Sequence, residues 1–204
     1  MILLQDSGHS AFFQHILDFD HWLFTIVNQR WANRIFDDIF PFLRQAEIWI
    51  PFYLFLLVFI LINFGRRGWP WVFSLCMTGI ISDLISSSLV KAIIFRYRPC
   101  NDLSLEDQVR MLVNYCPQSS SFTSSHACNH FAAAIFIFLT LKQTSRWWIL
   151  VFLWAAAISY AQVYVGVHFP LDVLGGAILG SGIGYCMYLF YRSQFGSLII
   201  KQST

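Results

Sequence analysis

Long apolar runs separated by short basic turns set the first constraint on this chain. The stretch "IPFYLFLLVFILINF" (50–64) carries no charged side chain. A helix crosses a bilayer with about 17–25 largely apolar residues, and windows near 48–64, 71–90, 125–141, 147–165 and 171–191 approach that length. Charged residues make up 12% of the chain and hydrophobic ones 57%, with mean hydropathy +0.57. A soluble domain carries about 25% charge. The expected fold is therefore all-α: a polytopic membrane helix bundle of about five transmembrane helices, in one domain over 1–204, with an interfacial region over 1–46 and a transmembrane core over 47–192. The start, "MILLQDSGHS", lacks the positive end, long apolar stretch and cleavage site of a signal peptide, so insertion is expected to rest on the internal segments.

Basic residues orient the bundle. "GRRGW" follows the first span, "KQTSRWW" the third, and Arg192 and Lys201 the fifth. These loops fall on one side, which the excess of Lys and Arg in cytoplasmic loops makes the cytoplasm. The connection around 92–122, the turn at 166–170 and the region before Glu47 then lie on the opposite face. "HWLFTIVNQRWANRIFDDIFPFL" (21–43) suits one or two helices lying in the outer interface. A sixth span over 11–30 is the alternative, at the cost of taking Asp18, Asp20, His21 and Arg30 into hydrocarbon.

A net charge of +2 gives no reason to expect a nucleic-acid partner, and no glycine-rich nucleotide loop is present, which excludes ATP as a substrate. Among the cysteines, Cys76 and Cys186 read as small core residues inside apolar runs, while Cys100 and Cys116 share the long polar loop and can pair if that loop faces an oxidising compartment.

Polar residues that do not belong in lipid form three clusters, all placed by this topology at one membrane face. In "KAIIFRYRP", Lys91 and Arg98 are seven residues apart, two helical turns, so both can point the same way, with Pro99 ending the helix. In "SFTSSHACNH", Ser124, Ser125 and His126 open the third span, where unpaired backbone N–H groups attract anions. In "SYAQVYVGVHFPLD", His168 precedes a span beginning at Pro170, with Asp172 four residues on. Fixed cations, a helix N-terminus, two histidines and a carboxylate suit a phosphate ester. Lys91 and Arg98 would neutralise its oxygens. One histidine would attack phosphorus and the other protonate the leaving oxygen, with Asp172 holding the attacking ring through its N–H. The residues alone name only the pair. No metal or other cofactor is required, since the cations and helix dipole supply positive charge.

These motifs resemble those of the type 2 phosphatidic acid phosphatases, which share their site with vanadium haloperoxidases. Lys-(six residues)-Arg-Pro is complete as Lys91 to Arg98-Pro99. Pro-Ser-Gly-His appears as Thr123-Ser124-Ser125-His126, keeping the serine and histidine. Ser-Arg-(five residues)-His-(three residues)-Asp appears as Ala161-Gln162 followed by His168 and Asp172, with Ser159 three residues before Gln162. The resemblance implies His168 as nucleophile through a phosphohistidine, His126 as general acid, Asp172 as the partner of His168, and Lys91, Arg98 and Ser124 as phosphate ligands. Ser125 and Gln162 are expected to complete the phosphate site; Gln162 donates two N–H bonds but no charge. The implied function is hydrolysis of a membrane lipid phosphate or pyrophosphate at the extracytoplasmic face, in a bacterial inner membrane. Undecaprenyl pyrophosphate, phosphatidylglycerol phosphate, phosphatidic acid and lipid A phosphates are the candidates. The rivals are a lipid phosphotransferase and a binder weakened by Gln162.

Other polar residues have plainer readings. His126 and His130 have the i, i+4 spacing of a metal pair, but no third ligand accompanies them, and His130 reads as a packing residue. Asp83, inside the second span, is expected to pair with a cation or support Lys91. Asp102, Glu106, Asp107 and Arg110 read as the solvated part of the loop. Gly175, Gly176, Gly180, Gly182 and Gly184 allow the last span to approach the third and fourth closely, with a homodimer seam as second choice.

Overall fold

A computed structural model describes residues 2–3, 11–105 and 108–198. Helices α1 (Ala11–Thr25) and α2 (Arg34–Leu43) precede α3 (Ile50–Phe64) and α4 (Gly68–Asp83). The chain continues from α4 through wider, π-type turns (Leu84–Val90) into the single turn α5 (Lys91–Ile93). Then follow α6 (Ser125–Leu141), α7 (Leu150–Tyr164) and α8 (Pro170–Phe195). The described non-helical pairing is a short parallel one, β1 (Ile2–Leu3) on β2 (Ile94–Phe95).

Among the described residues, three helical stretches are long and apolar enough to cross a membrane: Ala46–Ile93, Arg146–Tyr164 and Pro170–Phe195; Ser125–Leu141 is a shorter apolar helix. Within the first of these the chain reverses at Gly65, whose φ of +56° suits a residue without Cβ. The reversal sets Gly68 so close to Ile60 that a Cβ would meet its side chain at 2.6 Å. Leu54, Phe55, Val58 and Ile62 on α3, Phe73 and Ile80 on α4, and Ile178 on α8 face outward. So broad an apolar surface is the mark of a hydrocarbon-facing bundle, and the protein is an integral membrane protein.

Helix α6 is the hub. Its Ala132, Ala134, Phe136, Ile137 and Leu141 are fully buried among α4, α7 and α8. Helix α8 reaches it through one glycine face: a Cβ on Gly176, Gly180 or Gly184 would stand 2.5, 2.1 and 2.3 Å from the carbonyl oxygens of Ser124, Cys128 and Ala132. This is the expected packing role of the glycine run, realised against the third span, while Gly182 faces open space. Trp71 ties α4 to α6 by donating to Thr140 Oγ1 at 2.7 Å.

Arg66 and Arg67 line a cleft at one end of the bundle with Tyr191, and Lys142 and Arg192 line an adjoining cleft with the same tyrosine. The basic turns therefore gather at one end, as the sequence implies; Lys201 lies outside the described residues. The other end is capped by α1 and α2, whose Phe24 and Phe40 pack with Tyr164, Val165 and Phe169. Cys100 and Cys116 are disulfide-bonded there, with Cα atoms 6.0 Å apart.

Several expectations need correction. Cys76 and Cys186 are exposed on outward faces rather than in the core. Arg110 is only partly exposed and does more than face solvent: it pairs with Asp37, donates to Asn28 O at 2.8 Å and lies over the Tyr164 ring. Asp102 sits 3.8 Å from His21 Nε2, whereas Glu106 and Asp107 lie outside the described residues. Asp83 accepts from Asn129 Nδ2 at 3.0 Å, which joins α4 to α6; it forms no ion pair among the described residues, but its charge acts on Lys91, the supporting role expected of it.

Candidate active site

The segment after α5 decides which side chains enter the site. The helix ends at Ile93, before Pro99, and Ile94–Phe95 are extended, as is Arg98 with φ −78° and ψ 155°. A residue before proline is pushed out of the helical region. Lys91 and Arg98 are therefore not two helical turns apart, as the spacing suggested. Extended backbone alternates its side chains, so Arg96 and Arg98 turn inward while Tyr97 turns out; their exposures are 1%, 5% and 46%.

His168, in the tight α7–α8 turn, is buried. Arg98 Nη1 donates to its Nε2 at 3.0 Å and to Val167 O at 3.0 Å. A guanidinium is only a donor, so Nε2 carries the lone pair and Nδ1 the proton. The Nδ1 edge faces Asp172 Oδ2 at 3.6 Å, beyond hydrogen-bond length, and Ser121 Oγ at 3.4 Å. Ser121 donates to the same carboxylate oxygen and so bridges the two. Asp172, at the third position of α8, also accepts Phe169 N–H at 2.8 Å, which fixes the helix start and the carboxylate together.

Arg96 was passed over in the sequence, yet it anchors this arrangement. Its Nη1 binds Asp172 Oδ1 at 2.8 Å and its Nη2 binds Asp20 Oδ2 at 2.6 Å, all three side chains being buried. Asp20 Oδ1 accepts from Leu171 N at 2.8 Å, and Phe169 lies under the guanidinium at 4.1 Å. Burial works against the Arg96 charge, but Asp172 and Asp20 outweigh it and hold its pKa above the usual value. Removing one partner of such a buried group costs about 3–5 kcal/mol. The R-Y-R alternation before a proline was the available signal for Arg96; Ser121 and Asp20 had none.

Arg98 has no carboxylate partner among the described residues. Its bonds go to Ser119 O, Ser119 Oγ, Ser120 O, Val167 O and His168, all neutral acceptors. Burial lowers its pKa to about 10. Lys91 forms no ion pair among the described residues, and its field reaches His168 and Asp172. At the head of α6, Ser124 Oγ caps the helix by accepting from Ala127 N at 3.4 Å, and Ser125 Oγ is buried without a partner. His126 lines a cleft of about 490 Å³ with Arg44 and Tyr115, and its ring stacks parallel to His130 at 6.5 Å. His130 itself packs edge-on against Trp154, the expected packing role. Gln162 is fully buried; its Oε1 accepts from Arg44 Nε at 3.3 Å and its Nε2 has no partner. The three sequence clusters thus meet at one end of the bundle. They form a site with positive charge beyond what its carboxylates neutralise, beside a histidine whose lone pair is held ready.

A helical membrane protein with an anion-receptive histidine site is the class these features define. The model of the PAP2 superfamily matches residues 67–195. A lipid A 4'-phosphatase of Bacteroides thetaiotaomicron is 33% identical over 71% of this chain, although the match spans less than two thirds, 63%, of that protein. An undecaprenyl-diphosphatase of Sulfolobus acidocaldarius is 32% identical over 83% of this chain and 77% of its own length. The transmembrane PAP2-type phosphatidylglycerolphosphate phosphatase of Bacillus subtilis shares the fold, with a TM-score of 0.67 at 19% identity over 94% of this chain and 92% of that one. The chain belongs to the PAP2 superfamily.

Proposed function

We propose that the protein hydrolyses a lipid phosphate or pyrophosphate at the extracytoplasmic membrane face, without a metal, through a phosphohistidine on His168. The observation that carries this reading is the His168 lone pair held at 3.0 Å by a buried Arg98 that pairs with no carboxylate among the described residues. A phosphate entering there accepts from Arg98 and Lys91 and so frees Nε2. The nitrogen attacks phosphorus while the P–O bond to the lipid breaks, and His126 gives the departing oxygen its proton. Asp172 and Ser121 stabilise the ring, which keeps its Nδ1 proton and becomes cationic. His126 then takes a proton from water, whose oxygen displaces His168 and releases inorganic phosphate. Ser124, Ser125, Gln162 and the head of α6 hold the remaining phosphate oxygens.

The relatives named as lipid A 4'-phosphatase and undecaprenyl-diphosphatase support a phosphate carried on a lipid. Phosphatidic acid and phosphatidylglycerol phosphate fit the same chemistry. Five spans are assigned, α3, α4, α6, α7 and α8, with α1 and α2 in the outer interface. Arg66, Arg67, Lys142 and Arg192 at the opposite end favour a cytoplasmic position for that end. The Cys100–Cys116 disulfide beside the site favours an oxidising compartment, here the periplasm or exterior of a bacterial inner membrane.

Phosphate release from a panel of lipid phosphates, in excess chelator, tests the reading. Purified protein should turn over at least one of them, and His168→Ala should lose at least about 1,000-fold. Equal release by both proteins sinks it; phosphate moved onto an acceptor lipid instead of water makes the protein a transferase.

A further inference from the structure

Position 162, on the wall of the phosphate site, holds a neutral amide where the resemblance expects a guanidinium. The structure nevertheless brings a guanidinium to that wall from elsewhere. Arg44 follows α2 directly, 118 residues from Gln162 in sequence, and its Nε donates to Gln162 Oε1 at 3.3 Å.

That approach is fixed by rigid parts. Tyr164 Oη donates to Asp37 Oδ1 at 2.7 Å and accepts from Asn33 N at 3.0 Å. Arg110 pairs with the same Asp37, and Phe40 meets the rings of Tyr160 and Tyr164 edge-on at 5.3 and 4.8 Å. Gln162 is two residues from each of those tyrosines and so on another face of α7. Arg44, one helical turn beyond Phe40 and past the end of α2, reaches it there through the bond to Oε1.

An arginine placed for structure alone is expected to find a carboxylate. Among the described residues Arg44 pairs with none. Its polar neighbours are the neutral Gln162 and the side chain of Tyr115. Burial lowers its pKa, so an added anion would offset a desolvation already incurred. It lines the same cleft as His126, and its charge acts on both His126 and Arg98. Gln162, fully buried, keeps Nε2 without a partner beside it, as does Ser125 its Oγ. The Gln162 amide and the Arg44 cation thus stand together without an anionic acceptor among the described residues.

We propose that Arg44 is a ligand of the substrate phosphate, working with Gln162 to supply from the end of α2 the guanidinium that position 162 does not carry. This assignment rests on the reading of the site as a phosphate site. It makes α2 part of the active site as well as its cover, and it places a charge-assisted bond on the phosphate close to His126.

The test is a set of variants read by orthovanadate inhibition and by inorganic phosphate protection against thermal unfolding. Arg44→Ala should weaken both about 10- to 100-fold, the worth of one charge-assisted hydrogen bond. Gln162→Arg in the Arg44→Ala background should restore most of the loss by returning the guanidinium from the other side. Unchanged vanadate inhibition and phosphate protection in Arg44→Ala overturn the assignment. So does a double variant no better than Arg44→Ala whose ligand-free melting temperature matches it, because a returned guanidinium in an intact fold then fails to replace the lost one. Phosphate protection needs no turnover: Arg44-dependent protection in a protein that releases no phosphate from lipids sinks the hydrolase and keeps the ligand. Turnover with Arg44-independent inhibition does the reverse.

Discussion

The site is governed at the scale of single residues by where charge is left unbalanced. Arg96 is consumed by Asp20 and Asp172, whereas Arg98, Lys91 and Arg44 form no ion pair among the described residues. The same environment keeps His168 neutral. Burial, reinforced by the Arg98 charge, outweighs the pull of Asp172 and lowers its pKa to about 4. An unfolded histidine takes its proton near pH 6.5. Between about 6.5 and 4 the unfolded chain therefore gains a proton that the folded site refuses, and His168 withdraws stability as the pH falls. Its lone pair stays available over the same window. After correction for ionisation of the substrate phosphate, the acid limb of kcat/KM assignable to His168 should lie near pH 4. A limb at 6.5 that disappears in a His168 variant with residual activity would show an imidazole outside this environment. Position 162 was legible as a departure from the resemblance, but the charge that meets it was not, because nothing in local spacing links Arg44 to Gln162.

At the scale of elements, the apolar runs located the helices well, because length and hydropathy are local properties. The window 125–141 coincides with α6, and 147–165 differs from Arg146–Tyr164 by one residue at each end. The segment after α5 was misread because a seven-residue spacing fits two helical turns as readily as an extended stretch, and Pro99 acts on the conformation of Arg98 rather than only on a helix end. That misreading hid Arg96. The glycine run was read correctly as a packing device, and its two faces can be separated by experiment. Gly180→Ala drives a Cβ to 2.1 Å from Cys128 O, whereas Gly182 has nothing within 4 Å. The first should cost about 1–3 kcal/mol, as overpacking does, and the second should change stability little. Thermal melting in detergent should rank them so; equal melting temperatures would mean that α8 does not meet α6 through this face.

For the whole molecule, the alternation of apolar runs and basic turns implies that the three distant clusters share one end, because alternating spans leave few other arrangements. The structure gathers them there, with the basic turns at the opposite end and the disulfide beside the site. The contribution of the N-terminal region was not legible. Its mixed charges suggested helices resting on a surface, yet Asp20 reaches the buried ion pair and Arg44 reaches Gln162. Both links depend on tertiary packing of Phe24 and Phe40 against the α7–α8 turn. The most direct measurement on the central claim is rapid quenching of the protein with a phosphate-labelled lipid substrate in chelator, followed by peptide mapping under alkaline conditions that preserve phosphohistidine. Label on the peptide containing His168, formed and discharged at the turnover rate and missing from His168→Ala, is the expected result. Turnover that proceeds with the label on another residue, or with no covalent phosphate at any quench time and undiminished by His168→Ala, would contradict it.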